Sequence, residues 1–89
     1  MSLYLVTYAL NRPGQDYKTV AELTKGLGTC YRFSDSVYLV KSVLDFQDFS
    51  QSATRYADPS DRIIIAKVDG KINGLLSDEQ WDWINSNLY

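Results

Sequence analysis

Leu3-Tyr4-Leu5-Val6-Thr7-Tyr8-Ala9 is the stretch on which the fold turns. It is dense in β-branched and aromatic residues, which fit a pleated strand better than a helix. Side chains alternate between faces along a strand, so Leu3, Leu5, Thr7 and Ala9 share one face and Tyr4, Val6 and Tyr8 the other. Both sets are largely apolar. A strand of this kind belongs in the middle of a sheet, with cover on both sides. Residues 62–68 are again apolar on both faces, Ile63 and Ile65 on one and Ile64, Ala66 and Val68 on the other.

Working outward, Asn11-Arg12-Pro13-Gly14 is a polar turn, and a helix is predicted over 16–27. Tyr17, Val20, Ala21 and Leu27 fall near one face of that helix, with Lys18, Glu22 and Lys25 solvated and Gly28 as a left-handed terminating residue. Two strands, 29–33 and 37–41, flank Ser34-Asp35-Ser36 as a hairpin. Asp45 is a helix N-cap between Leu44 and Phe49, which form a hydrophobic staple. Phe46, Phe49, Ala53 and Tyr56 keep helical spacing until Asp58-Pro59 stops the helix.

Beyond residues 62–68, Asp69-Gly70 is a two-residue hairpin signal, from which 71–73 can fold back as a strand stub. Ser77-Asp78-Glu79-Gln80 then reads as a capping box opening a helix over about 77–88, with Leu76 and Trp81 as its staple. Trp81, Ile84 and Leu88 share a stripe, while Trp83 lies about 200° around from Trp81 and points away from it. The element order is strand, helix, strand, strand, helix, strand and a terminal helix. That order predicts an α+β chain: a ferredoxin-like βαββαβ antiparallel sheet with two helices on one face plus a C-terminal helix, as one domain over 1–89. Two helices cover one face only. The terminal helix, a second copy of the chain, or both must cover the other.

Composition limits the chemistry. Among 89 residues, 45% are apolar and 22% charged, which is a globular balance. There is no histidine, and Cys30 is the single cysteine. Ser–His and Cys–His catalytic pairs, His/Cys zinc sites, haem and iron–sulfur ligation and an internal disulfide are thereby excluded. Carboxylates are the remaining protein metal ligands, and no cofactor is implied. The net charge is −2 but uneven: residues 1–44 hold five bases and three acids (+2), residues 45–89 four bases and eight acids (−4). Residues 3–10 lack the basic flank and cleavage site of a signal peptide, and a lone cysteine fits a reducing cytosol, so a cytoplasmic protein is expected.

Leu3-Tyr4-Leu5-Val6-Thr7-Tyr8 followed by Leu10-Asn11-Arg12-Pro13-Gly14-Gln15-Asp16-Tyr17 resembles the opening of small SinR-like proteins. These are similar in turn to the CRISPR-associated endoribonuclease-like family, small structural partners of the spacer-integration enzyme. Ser36-Val37-Tyr38-Leu39-Val40-Lys41 resembles that family's third strand, and Asp58-Pro59-Ser60-Asp61-Arg62-Ile63-Ile64-Ile65 its turn into the fourth. The resemblance implies a ferredoxin-like homodimer. In the nuclease-like members the first strand ends in Tyr-Asp, and two such aspartates, one per protomer, can hold a divalent metal for phosphodiester hydrolysis. Here the matching dipeptide is Tyr8-Ala9, and a methyl group cannot ligate a metal.

Other carboxylates have local explanations: Asp16 as a first-turn residue, Asp35, Asp58, Asp61 and Asp69 as turn formers, and Asp78 and Glu79 as first-turn residues. The expected reading is a non-catalytic homodimeric binding protein of a nucleic-acid-processing, defence or mobile-element system, with nucleic acid or a protein as partner and no membrane. The alternative is a metal-dependent nuclease of the endoribonuclease-like family, inactive here because Ala9 replaces the ligand. Candidate nucleic-acid or ligand contacts are Tyr8, Asn11, Arg12, Lys18, Arg32 and Tyr38, which interleave cations with rings in the basic half. Candidate interface residues are Ile63, Ile65 and Trp83.

Overall fold

The computed structural model describes residues 1–9, 17–34, 36–55 and 59–88, the side chains of 17–20 excepted. The elements are β1 (Ser2–Ala9), α1 (Tyr17–Lys25), β2 (Thr29–Ser34), β3 (Val37–Ser42), α2 (Phe46–Thr54), β4 (Arg62–Val68) and α3 (Asp78–Asn87). This is an α+β architecture with one four-stranded sheet in the order β2-β3-β1-β4 and every neighbouring pair antiparallel. β1 occupies an inner position, as its two apolar faces require.

Each face of the sheet carries its own core. Tyr4, Val6 and Tyr8 of β1 join Tyr38 and Val40 of β3, Ala21 of α1, and Phe49 and Ala53 of α2. The ring of Tyr4 stacks on Phe49 at 4.2 Å, and its hydroxyl donates to the Leu44 carbonyl at 2.8 Å. Tyr8 meets Tyr38 edge-on at 5.9 Å and shares a 3.1 Å hydrogen bond with the buried Thr24 hydroxyl. On the opposite face Leu3 and Leu39 pack under Ile84 of α3, with Leu5, Phe33, Val68, Ile72, Leu76, Trp81 and Trp83 around them. α3 is therefore a cover for the second face.

Local chemistry sets the helix starts. Asp45 caps α2 by accepting from the Asp48 N–H at 2.8 Å. Ser77 and Gln80 form the reciprocal capping box of α3: Gln80 N–H donates to Ser77 Oγ at 3.2 Å and Ser77 N–H to Gln80 Oε1 at 2.9 Å. The end of α1 departs from expectation. Its last turn is closed by Gly26 and Leu27 amides donating back to the carbonyls of Glu22, Leu23 and Thr24, and Gly28 is not left-handed. Gly28 is required for a different reason, since a Cβ there would collide with the Lys41 carbonyl of β3.

Two further expectations are corrected. Gly70 turns the chain with φ +79, but 71–73 adds no strand to the sheet. Ile72 and Leu76 instead lie on the second core, where burying them against Leu3, Leu39 and Ile84 outweighs pairing along β4. Nor does Trp83 point away. Ile84 is the centre of the buried stripe, with Trp81 about 60° to one side and Trp83 about 100° to the other. That spacing lets Trp83 reach Tyr31 of β2, at 5.5 Å between ring centroids.

Gly28→Ala tests the close approach. It is expected to lower unfolding free energy by about 2 kcal/mol in urea denaturation, because backbone must shift to admit the methyl. An unchanged midpoint would show that β2 and β3 have slack at this point.

Candidate functional site

α3 does not cover the whole second face. Leu3, Leu5, Leu39 and Val68 lie beneath it, but the sheet continues past it along the end of β1 and the start of β4. Cross-strand pairing sets Thr7 opposite Ile64 and Ala9 opposite Arg62. Ile64 is 67% exposed, Ala9 and Ala66 are exposed, and Thr7 is half-buried. The result is a low strip of small side chains with one projecting isoleucine. Arg62 borders it with a constrained guanidinium, whose Nη1 donates to the Pro59 carbonyl at 3.0 Å and the Asp61 carbonyl at 2.9 Å.

Ala9 closes the strip at the end of β1 and offers no ligand atom. Among the described residues no group of three or more His, Cys, Asp or Glu side chains is arranged to hold a metal ion. No helix among them is long and apolar enough to cross a membrane.

The residues singled out from sequence are scattered. Tyr8 and Tyr38 are buried in the first core, so neither ring is on the surface for a base to stack on. Arg32 is exposed on β2, an edge strand, beside a register shift between Arg32 and Ser34. Lys18 belongs to α1. Asn11, Arg12, Asp16, Asp35 and Asp58 lie outside the described residues. Ile63 and Ile65 are half-buried and pack against the core beneath α1 and α2, whereas Trp83 is half-buried against Tyr31. Ile64 is the isoleucine of β4 that reaches solvent. Strand alternation already separates it from Ile63 and Ile65, but which face stays open depends on how far α3 extends.

Two groups of the sheet, Tyr8 and Cys30, are shifted by burial. Burial pushes the Tyr8 phenol above its ordinary value, partly opposed by the hydrogen bond with Thr24 and reinforced by the neighbouring Cys30. Burial likewise raises the Cys30 thiol, which Lys25 partly offsets. Neither group is set up as a nucleophile, since activation needs a lowered thiol or phenol. A scan against protein-family models and a search of curated proteins both return no match to this chain.

The Tyr8 shift gives a pH dependence with a definite sign. Its folded-state pKa lies above that of the unfolded chain, so its contribution is whole below about pH 10 and is lost as pH rises toward the folded value. Tyr8→Phe is expected to weaken the protein by about 1 kcal/mol at neutral pH through loss of the Thr24 hydrogen bond. The gap to wild type should then narrow in alkali. Urea midpoints measured on both proteins from neutral to strongly alkaline pH check this; a gap that widens with pH would contradict it.

Proposed function

We propose that this chain is a ferredoxin-like homodimer that binds nucleic acid without cleaving it, in a nucleic-acid-processing, defence or mobile-element system. Supporting the ferredoxin-like reading, the β1α1β2β3α2β4 order is joined to a sheet in which β1 lies between β3 and β4 and all neighbours are antiparallel. The segments that resemble SinR-like and endoribonuclease-like proteins point the same way. The absence of cleavage follows from Ala9, whose methyl stands where the resembling nucleases carry a metal-ligating aspartate.

The observation that carries self-association is the strip around Ile64. Its small residues let a second sheet approach closely, and Ile64 stands exposed beside them. Around a two-fold axis, Ile64 of each copy would lie against the strip of the other, an isologous contact. The nucleic-acid partner rests on the resemblance, since a net charge of −2 opposes broad phosphate binding. The basic half of the chain supplies Arg32 on β2 and Lys25 at the end of α1.

Sedimentation equilibrium at micromolar concentration is expected to give twice the mass of the chain, and Ile64→Glu the single-chain mass with an unchanged circular dichroism spectrum. A wild-type protein of single-chain mass would overturn the dimer. Fluorescence anisotropy with single-stranded DNA and RNA is expected to show binding that falls steeply with salt and weakens on Arg32→Ala. If no oligonucleotide binds even at low salt, the partner is a protein instead.

A further inference from the structure

On the flank of α3 away from Trp83, the chain from Gly70 to Asn73 stands off from the helix and leaves an open cleft of 420 Å³. Trp81 and Asn85, one helical turn apart, form one wall, and Lys71 and Asn73 form the other. Ile84 and Leu88 make an apolar floor. The left-handed Gly70 turns the chain so that Lys71 comes to the rim.

The polar groups of this cleft are unspent. Asn73 uses its side-chain oxygen to accept the Gly74 N–H at 2.8 Å, which leaves its amide nitrogen as a donor. The Lys71 ammonium, the Trp81 indole N–H and the Asn85 amide make no hydrogen bond to any described residue. Four donor-bearing residues, one of them cationic, thus line a space that also meets an indole and two aliphatic side chains. Asp69, Asp78 and Asp82, the carboxylates nearest it in sequence, do not line it. A volume of this order suits a small ligand, and a few placed polar groups over apolar lining are the usual means of orienting one.

We propose that this cleft binds a nucleoside monophosphate, either free or as one unit of a single strand. Lys71 takes the phosphate, Trp81 stacks on the base, and Asn85 presents both a donor and an acceptor to the base edge, the pairing that adenine accepts through N6 and N7. Asn73 adds a second donor at the rim. The choice of a nucleotide rests on the nucleic-acid reading above, and it moves the point of base contact from the basic half of the chain to its acidic half.

The test is titration of the full chain with AMP, followed by amide and indole resonances in NMR. Saturable shifts are expected at Lys71, Asn73, Asn85 and the Trp81 indole, with adenosine and inorganic phosphate each binding far more weakly. Lys71→Met and Asn85→Ala, both at exposed positions, are each expected to weaken AMP binding by about tenfold. Oligoadenylate that displaces AMP identifies the strand as the source of the nucleotide, and oligoadenylate that leaves AMP bound identifies the free nucleotide. Absence of shifts at millimolar AMP, or equal affinity in Lys71→Met, overturns the cleft. Strand binding that persists in that variant without any AMP response would overturn the cleft alone and leave the proposed function standing.

Discussion

β1 lies between β3 and β4 with apolar side chains on both faces, and the rest of the molecule is arranged to bury one of these faces and to cover part of the other. On one side α1 and α2 close over Tyr4, Val6 and Tyr8; on the other α3 and the chain leading to it close over Leu3 and Leu5. The two cores differ in character. The first is built on aromatic rings whose hydroxyls find partners in Leu44 and Thr24, and the second on aliphatic side chains flanked by Trp81 and Trp83. The bulky rings suit the deep space beneath two helices, while one helix lying across a sheet can cover only part of it.

That incomplete cover explains how much of the fold was legible in the residues. The two-faced apolar pattern of β1 and β4 demanded a second covering layer, and Ser77 and Gln80 announced the helix that supplies it. Both are local signals: alternation and capping act within a few residues. The misread features depend on contacts distant in sequence. Gly28 is dictated by Lys41, thirteen residues on, and not by its own helix end. The chain after Gly70 looks like a returning strand until the apolar ground offered by Leu3, Leu39 and Ile84 is known.

The candidate contacts were harder to read for the same reason. Tyr8 and Tyr38 are interleaved with cations in sequence, yet alternation sends both rings to the helical face. Ile64 carries the proposed self-association because its flanking isoleucines turn the other way under α1 and α2. The cleft beside α3 draws Lys71 and Asn73 toward Trp81 and Asn85 across an irregular connection, and no motif spacing marks such a meeting.

The two buried phenols of β1 have a consequence for alternative pairings of the sheet. A strand that is polar on one face is held in register by hydrophobicity, because sliding it by one residue turns its apolar side chains out to water. β1 lacks that safeguard, since a slipped copy would still present apolar side chains to both layers. What distinguishes the native alignment is where the hydroxyls end up: Tyr4 against the Leu44 carbonyl, and Tyr8 against Thr24. Slipped by one residue, both would be turned away from their partners, at about 1–3 kcal/mol for each polar group buried without another. In place of phenylalanines, which would fill similar space, these tyrosines act as alignment marks that separate one pairing from its near-equivalents.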